Sequence, residues 1–351
     1  MTRTIGSVVL GLLAFVVLCE LLFRVLPTSS ATEAGYHIDA KILTYAPNHV
    51  VRYAAGWDLR NAQRLLTNNY GFVSAHDFAF DKTAVALIGD SYVESASLDE
   101  AQRPGAQLER ILGGQRAVYS LGVAGTSLLD YAERIRFAHH NFGIRDFVVL
   151  MERGDVRQSI CGSGNVGSQC LDPHSLQPRT ELHPSPSAAK RLLRKSAFAQ
   201  YLVSQLEITP DKLLHKLFVT SQSAREQRPA SEHEVDAVAE LFFERVRPLA
   251  GARLVIVVDA NRPMLTRGRD DTKPDTNPDT NARANPDPDP ERSRFIELAR
   301  AAGATVVDME PIFKAHFKQS SLSLDVGRQD GHFNALGVAL VAAGAASALK
   351  P

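Results

Sequence analysis

Short, largely apolar segments alternate with amphipathic segments from residue 84 onward. The apolar segments are rich in Val, Leu and Ile with little alternation, which is typical of strands buried on both faces. The segments between them carry apolar residues at helical spacing, and one of them ends at Gly303, a residue type that commonly terminates helices. This order predicts βαβ units and a parallel sheet with helices on both faces. The predicted strands are Ala84–Ile88, Ala117–Leu121, Phe147–Met151, Arg253–Val258 and Ala304–Val307.

The pattern as a whole predicts an α/β fold, a three-layer α/β/α flavodoxin-like sandwich with a five-stranded parallel sheet, over residues 81–351. Residues 28–80 show no such alternation and are predicted to be an irregular lead-in segment. Residues 186–250 contain amphipathic stretches without a clear strand, which indicates a helical insertion on one side of the sheet. Residues 266–290 are rich in Pro, Asp, Asn and Thr and lack an apolar face, so we predict a disordered loop.

The first apolar segment lies at the amino terminus, where residues 5–19 carry no charge. A membrane-spanning helix needs about 20 largely apolar residues. The span is therefore complete only if Glu20 and Arg24 lie near the polar interface, where long side chains can reach water. Arg3 precedes the segment and favours a cytoplasmic amino terminus.

Two interpretations of this helix stay open. In the first, residues 1–27 form an N-terminal transmembrane helix that is kept as an anchor, with membrane contacts through residues 5–26. In the second, the helix is a signal peptide that is cleaved near the small residues 29–31. Either one places the rest of the chain in the periplasm or the extracellular space.

Composition and charge mainly exclude classes of function. Of the 351 residues, 39 are Lys or Arg and 39 are Asp or Glu, so the formal net charge is zero. Without a basic excess or a compact nucleic-acid motif, we expect no nucleic-acid partner. The three cysteines and the histidines lack the spacing of a metal site. Cys161 and Cys170 could close a disulfide loop in an oxidising compartment or could remain free thiols.

A Gly-Asp-Ser tripeptide, residues 89–91, directly follows the first predicted strand. Active sites of open parallel sheets lie at the carboxyl ends of the strands, so Ser91 is expected at the rim of the sheet. A serine hydroxyl is a weak nucleophile and needs an adjacent base. His332 lies in the loop before the last predicted helix, again at the rim. This pattern predicts Ser91 as nucleophile and His332 as base, with Asp330 orienting the imidazole and Asp325 as a more distant alternative.

Four short segments resemble the SGNH (GDSL) hydrolase family, and the amino-terminal segment resembles its membrane-anchored branch. The segments are GDSYVE at 89–94, GVAGTS at 122–127, RGD at 153–155 and DGHFN at 330–334. The resemblance implies that the first segment carries the nucleophile, Ser91. It also implies an oxyanion hole formed by the N–H groups of Ser91 and Gly125. It implies no metal ion and no organic cofactor.

The third segment departs from the family pattern, which usually places an Asn after the third strand. Gly154 stands at that position and has no side-chain donor. Loss of one such donor costs about 10²–10³ in rate in a comparable hydrolase. Three explanations stay open: Arg153 supplies the charge, another donor comes from elsewhere, or the protein is weakly active or inactive. Arg153, Asp155 and Asn334 are the expected substrate contacts.

The expected reaction is hydrolysis of an acyl ester, carried by a lipid or an acylated glycan, through an acyl-enzyme on Ser91. Two alternatives involve the same site. One is an O-acetyltransferase or O-acetylesterase of cell-surface polysaccharide, because the same three side chains can serve acyl transfer to water or to a sugar hydroxyl. The other is a catalytically weak glycan-binding or scaffolding protein, which the missing Asn favours.

Overall fold

The computed structural model describes residues 2–31, 33–165, 169–181, 187–206, 208, 229–247, 249, 251–266, 289–327 and 330–350. Its strands are β1 (Gly35–Asp39), β2 (Ile42–Thr44), β3 (Val50–Ala55), β4 (Arg60–Leu66), β5 (Val85–Gly89), β6 (Val118–Gly122), β7 (Asp146–Met151), β8 (Gln169–Leu171), β9 (Pro178–Thr180), β10 (Arg253–Val258), β11 (Thr305–Asp308), β12 (Asp325–Gly327) and β13 (Asp330–Phe333). Its α-helices are α1 (Thr2–Val25), α2 (Ser91–Glu94), α3 (Pro104–Ile111), α4 (Leu128–Phe142), α5 (Asp155–Gln158), α6 (Ala188–Arg194), α7 (Ala197–Gln200), α8 (Glu232–Val246), α9 (Arg262–Thr266), α10 (Pro290–Ala301), α11 (Met309–Gln319) and α12 (Ala335–Leu349). A 3₁₀ turn at Glu100–Gln102 and a π-helical turn at Tyr201–Gln205 complete the described elements.

Five of these strands form one sheet in the order β11, β10, β7, β5, β6. Every neighbouring pair in it is parallel. Strands β5 and β6 are buried along their whole length, which is why their sequences are predominantly apolar. The predicted five-stranded parallel sheet is confirmed, and the strand bounds differ from the prediction by at most one residue.

Helices cover both faces of the sheet, and each face has its own hydrophobic core. On one face, Ala86 and Ile88 of β5 pack in a cluster with residues of α4, α8 and α10. On the other face, Val85 and Leu87 pack in a cluster with residues of α11 and α12. Successive residues of a strand point to opposite faces, so one short strand contributes to both cores. The prediction of three layers is therefore confirmed.

The segment 28–80 is more regular than predicted. It contains two antiparallel hairpins, in which β1 pairs with β2 and β3 pairs with β4. After the hairpins, Phe72 and Phe78 are buried in the main core, where Phe78 stacks on Tyr119. The prediction of an irregular segment is wrong. The sequence did not indicate this hairpin because β4 is largely exposed and polar, so it lacks the apolar alternation that marks a half-buried strand.

The described part of the segment 186–250 is helical and contains α6, α7, the π-helical turn and α8. Helix α8 packs against α4 and α10 and so belongs to the helical layer on one face of the sheet. Residues 209–228 of this segment lie outside the described residues, as do residues 267–288 of the loop predicted at 266–290.

Helix α1 contains the predicted membrane segment. Among the described residues it is the one helix long and apolar enough to cross a membrane, with a mean hydropathy of 2.6 over Arg3–Val25 and no burial in that window. A membrane anchor and a signal sequence both have these properties. Near its carboxyl end, Glu20 and Arg24 form an ion pair with a nitrogen–oxygen distance of 2.7 Å.

Candidate active site

Ser91 lies at the carboxyl edge of the sheet because strand β5 ends at Gly89 and helix α2 begins two residues later. A side chain at position 89 would clash, since a Cβ there would lie 2.5 Å from Val93 Cγ2 and 2.9 Å from the Leu150 carbonyl oxygen. Asp90 caps the helix by accepting the Tyr92 N–H at 2.8 Å. Ser91 is the first helical residue, so its own N–H has no partner within the helix.

Three side chains predicted from the sequence form one hydrogen-bonded chain at this edge. The Ser91 Oγ and His332 Nε2 atoms are 2.8 Å apart, although the residues are 241 positions apart in sequence. On the other side of the ring, His332 Nδ1 lies 2.6 Å from Asp330 Oδ1. The same carboxylate oxygen accepts the backbone N–H of His332 at 3.1 Å, which fixes the carboxylate relative to the ring.

The charges around His332 favour its protonated form. Burial acts to lower its pKa, but the hydrogen bond and charge of Asp330, together with the charges of Asp90 and Glu94, outweigh burial and raise it above the usual value. The hydrogen bond from His332 in turn lowers the pKa of Asp330, against the opposing effect of burial. An imidazolium formed here during a reaction is therefore stabilised by its surroundings.

A second carboxyl group, that of Asp90, lies next to the Ser91 hydroxyl. Burial raises the pKa of Asp90 to about 6, although the Tyr92 N–H opposes this. The Ser91 hydroxyl lies 3.4 Å from Asp90 Oδ2, a longer contact than the one to His332. The Ser91 proton thus has a better acceptor in His332, and the role of Asp90 is to cap helix α2 and order the turn.

Glu94 links the serine turn to the loop at residues 123–127. Its side chain is fully buried, and burial raises its pKa. Its Oε2 atom accepts the Ala124 N–H at 3.0 Å and the hydroxyl of Tyr45 at 2.9 Å. These bonds fix the position of Ala124, the residue immediately before Gly125. The sequence carries Glu94 within the GDSYVE segment, but nothing in it marks Tyr45 as its partner.

Gly125 and Gly122 of the second segment require glycine for different structural reasons. Gly125 has a φ of 76°, a left-handed conformation that other L-residues rarely adopt. At Gly122, a Cβ would lie 2.7 Å from both the Glu94 nitrogen and Val93 Cβ, so the close packing of β6 against α2 excludes a side chain. Gly125 is accordingly the position at which the loop turns its backbone.

In the third segment, position 154 is a glycine and offers no side-chain donor. Gly154 lies at the start of α5, where its N–H donates to Glu152 Oε2 at 2.5 Å. A Cβ at this position would lie 2.7 Å from Glu152 Oε2 and from Gln158 Nε2. The side chain of Glu152, folded back over residue 154, thus occupies the space into which a residue larger than Gly would extend.

The three residues expected to contact substrate are engaged elsewhere. Arg153 forms an ion pair with Asp289, with Nε and Oδ2 2.6 Å apart, at the start of α10. Asp155 is fully buried and accepts the Tyr131 hydroxyl at 3.0 Å. Asn334 caps α12, where its Oδ1 accepts the Leu336 and Gly337 N–H groups at 3.0 Å. None of the three is among the residues that line the cleft above Ser91. Their contact with substrate stays a prediction.

The space above Ser91 is a cleft of about 300 Å³. Besides Ser91 and His332, its walls come mainly from the hairpin formed by β3 and β4 and from the chain that follows α1. The lining residues include Ser29, Ser30, Tyr45, Val51, Arg52, Tyr53, Leu65, Ser97 and Ser204. Segment 28–80, which sequence patterns did not mark as functional, thus forms much of the candidate binding surface.

Tyr53, in β3, contacts the carboxylate that holds the histidine. Its hydroxyl donates a hydrogen bond to Asp330, and burial together with the negative charge of Asp330 raises the pKa of Tyr53 to about 12. A single Tyr in a strand predicted to be irregular gave no sequence signal for this contact.

Arg262 holds the segment that carries His332. Its guanidinium is buried, pairs with Asp259 at 2.6 Å and Asp325 at 2.7 Å, and donates to the carbonyl of Gly331. It also lies 4.1 Å from the centre of the Phe333 ring. Asp325, the alternative orienting carboxylate, is therefore a partner of Arg262, while Asp330 is the partner of His332.

Cys161 and Cys170 are joined in a disulfide, with Cα atoms 5.0 Å apart. This is one of the two states that the sequence left open. Cys161 lies shortly after α5, and Cys170 lies in β8, so the bridge closes the loop that leads away from the third segment.

Solved structures similar in fold include known hydrolases. An alpha/beta hydrolase enzyme from the metagenome of Lake Arreo, Spain, is 13% identical at a TM-score of 0.39, with 78% of this chain and 99% of that chain covered. A member of the lipolytic protein G-D-S-L family from Veillonella parvula is 11% identical at 0.38, with coverage of 75% and 96%. A carbohydrate acetylesterase family member from Sinorhizobium meliloti is 12% identical at 0.35, with coverage of 76% and 96%. Neither a protein-family model nor a curated protein matches this sequence. Since these scores carry no conclusion about activity, the assignment of function depends on the chain's own residues.

Proposed function

We propose that this chain is an SGNH (GDSL)-type serine ester hydrolase that is anchored in a membrane by α1 and acts outside the cytoplasm. The observation that carries the proposal is the hydrogen-bonded chain from Ser91 Oγ through His332 to Asp330, with distances of 2.8 and 2.6 Å. A nucleophile, a base and an orienting carboxylate in contact are the elements of serine catalysis. They lie at the carboxyl ends of parallel strands, where open α/β sheets bind their ligands.

In the acylation step, Ser91 Oγ forms a bond to the carbonyl carbon of the ester while its proton moves to His332 Nε2. The tetrahedral intermediate then breaks its bond to the alcohol oxygen, which takes that proton as it leaves. The acyl group stays on Ser91. Asp330 keeps the Nδ1–H of the ring oriented and stabilises the positive charge during both proton transfers.

In the deacylation step, water takes the place of the alcohol. His332 Nε2 accepts a proton from the water as its oxygen attacks the acyl carbon, and returns the proton to Ser91 Oγ as the acid leaves. The N–H groups of Ser91 and Gly125 are the proposed donors to the oxyanion of both intermediates. Because position 154 offers no third donor, we expect a slower reaction than at a three-donor site.

A second candidate, an O-acetylesterase or O-acetyltransferase of cell-surface polysaccharide, is supported by the hydroxyl and guanidinium groups among the residues that line the cleft. Ser29, Ser30, Ser97 and Ser204 line it together with Arg52. Hydroxyl and guanidinium groups can hydrogen-bond the hydroxyls of a sugar. An esterase and a transferase differ in whether water or a sugar hydroxyl attacks the acyl-enzyme, so product analysis with an added glycan acceptor separates these two activities.

The test of the proposal is labelling of the full chain by a fluorophosphonate probe, which reacts with an activated serine. We expect Ser91 to be labelled, Ser91→Ala to remove the signal, and Ser347→Ala to retain it, since Ser347 is exposed on α12. Failure of a folded sample to react would instead support the glycan-binding or scaffolding alternative. Labelling that persists in Ser91→Ala would reject Ser91 as the nucleophile.

A further inference from the structure

The segment that contains α6 and α7 is attached to the carboxyl-terminal turns of α1. Glu20 of α1 accepts hydrogen bonds from the Ser196 hydroxyl at 2.7 Å and from the N–H groups of Ala197 and Phe198 at 3.2 and 3.1 Å. The carboxylate therefore caps the first turn of α7, where negative charge is favourable. These bonds fix α7, and α6 immediately before it, beside the point at which α1 ends.

Aromatic rings extend this contact. The ring of Phe23 stacks on Tyr201 with centroids 4.0 Å apart and on Phe198 with centroids 5.8 Å apart. Tyr201 in turn donates a hydrogen bond from its hydroxyl to the carbonyl of Trp57 at 2.9 Å. The turn between β3 and β4 thus lies next to the same end of α1.

The surface that these contacts position is both apolar and basic. Leu192 and Leu193 of α6 are 72% and 58% exposed, and they are flanked by Lys190, Arg191, Arg194 and Lys195. Two adjacent exposed leucines on a short basic helix are unfavourable in water. At the boundary between lipid headgroups and acyl chains, the same leucines can be buried. Basic side chains beside them attract anionic headgroups.

Trp57 adds a third feature of the same kind. It is the only tryptophan in the sequence, and it is 71% exposed at the turn between β3 and β4. Tryptophan is enriched at membrane interfaces, where its amphipathic ring lies among the headgroups. Its position next to Tyr201, and through Tyr201 next to Phe23, places it at the level of the carboxyl end of the membrane helix.

We infer that Trp57 and residues 190–195 form a membrane-docking surface that lies in the headgroup layer of the leaflet from which α1 emerges, with anionic lipid headgroups as its partner. The inference depends on the anchor in the proposed function but not on the ester chemistry. It has a consequence for that chemistry. Ser29 and Ser30, which lie shortly after the end of α1, and Ser204, which follows α7, line the Ser91 cleft. Docking therefore holds the cleft beside the bilayer, within reach of esters displayed on its surface.

Trp57 is a native probe for the test, because no other tryptophan contributes to the fluorescence. The full chain is reconstituted into vesicles of phosphatidylcholine, with and without phosphatidylglycerol, that contain brominated acyl chains as quenchers. We expect Trp57 emission at a shorter wavelength than that of a water-exposed tryptophan, with a loss of intensity that is larger when phosphatidylglycerol is present. Arg194→Glu combined with Lys195→Glu should reduce this difference between the two lipid mixtures.

The matched control moves the tryptophan to the opposite edge of the sheet. Phe80 is 65% exposed and precedes β5, so the variant Trp57→Phe with Phe80→Trp places an equally exposed ring far from α1. We expect long-wavelength emission from this variant and no quenching by brominated lipid.

Equal emission and equal quenching for the two tryptophan positions would overturn the docking surface. Quenching of Trp57 that is unaffected by phosphatidylglycerol and by the charge reversal would overturn anionic headgroups as the partner. Neither result affects labelling of Ser91 by the fluorophosphonate probe, so failure of this inference and failure of the proposed chemistry are distinguishable.

Discussion

Arg262 donates a hydrogen bond to the carbonyl of Gly331, the residue immediately before His332. The same guanidinium binds Asp259 and Asp325 and lies over the Phe333 ring, so it is fixed on several sides. Tyr92 donates to the same carbonyl at 2.9 Å. The position of the base relative to Ser91 therefore depends on an arginine that touches neither residue.

Replacement of this arginine tests whether it positions the base. Arg262→Met should leave Asp259, whose pKa burial raises to about 7, as an unpaired buried carboxyl. The breaking of a buried ion pair costs about 3–5 kcal/mol of folding stability, measured as a lower free energy of unfolding. The fluorophosphonate labelling rate of the remaining folded protein should also fall.

The double variant Asp259→Leu with Arg262→Met separates the two effects. It removes the fully buried carboxylate and leaves without its arginine only Asp325, which is partly exposed, so much of the stability should return. The labelling rate should stay low, because the bond to Gly331 is still absent. A double variant that labels at the wild-type rate would mean that Arg262 contributes to stability alone.

The strands and the contact between Ser91 and His332 were predictable from short segments of sequence. A strand buried on both faces is predominantly apolar, as β5 is throughout and β6 is except at Ser120. The carboxyl ends of parallel strands share one edge, which placed Ser91 near His332 without any knowledge of contacts. Each strand needed only one segment of sequence, whereas the contact between Ser91 and His332 needed two segments, one rule about sheets and the resemblance of both segments to a known family.

The residues that support the site were not predictable, because their roles arise from contacts between distant segments. Tyr53 bonds to Asp330 from a hairpin whose sequence shows no clear strand pattern. Arg262 bonds to Gly331, although the loop at residues 266–290 separates the two in sequence. The burial of Asp155 and the helix-capping bonds of Asn334 were not predictable either, because a polar residue within a motif has the same sequence whether it faces a cleft, is buried or caps a helix.

Glu94 is expected to order the loop that presents the Gly125 N–H. In Glu94→Ala, the buried Tyr45 hydroxyl and the Ala124 N–H both lose their acceptor. Each unsatisfied buried group costs about 1–3 kcal/mol, which should appear as a lower free energy of unfolding together with slower labelling. Tyr45→Phe is the control: it keeps the bond from Ala124, so we expect a smaller loss of labelling rate. Equal losses in the two variants would argue against a role for the Ala124 contact.

The rate of Ser91 labelling should increase with pH. His332 must be neutral to accept the serine proton, and its pKa is raised above the usual 6.5, so the midpoint of the rise should lie above that value. Asp330→Asn removes the hydrogen bond and the charge that raise this pKa. We therefore expect the midpoint to move to lower pH and the maximal rate to fall, by up to about 10⁴-fold on the precedent of a serine-protease triad.

Asp325→Asn is the matched control for the pH profile. Asp325 pairs with Arg262 and has no bond to the imidazole, so its replacement should leave the midpoint nearly unchanged. If Asp325→Asn moved the midpoint as far as Asp330→Asn does, the assignment of Asp330 as the orienting carboxylate would be wrong.

The Gly at position 154 offers a test of how many donors the site needs. Gly154→Asn supplies the amide that the family pattern places there, but its side chain would first meet Glu152 Oε2 and Gln158 Nε2, both 2.7 Å from the added Cβ. Both are ends of flexible side chains and can be moved or removed. Burial is the main cause of the raised pKa of Asp90 beside the serine, and the negative charge of Glu152 is a second cause. A negative charge there also disfavours a nearby oxyanion. We therefore expect no gain from Gly154→Asn alone.

Gly154→Asn combined with Glu152→Ala removes that carboxylate and leaves space for the amide. The double variant should label faster than Glu152→Ala alone, by up to about 10²-fold if the amide reaches the oxyanion. The comparison is made on second-order labelling rate constants at a pH above the midpoint for His332, so that the protonation state of the base does not differ between variants. A double variant no faster than Glu152→Ala would mean that two backbone donors already suffice. A gain from Gly154→Asn alone would mean that Glu152 does not block the position.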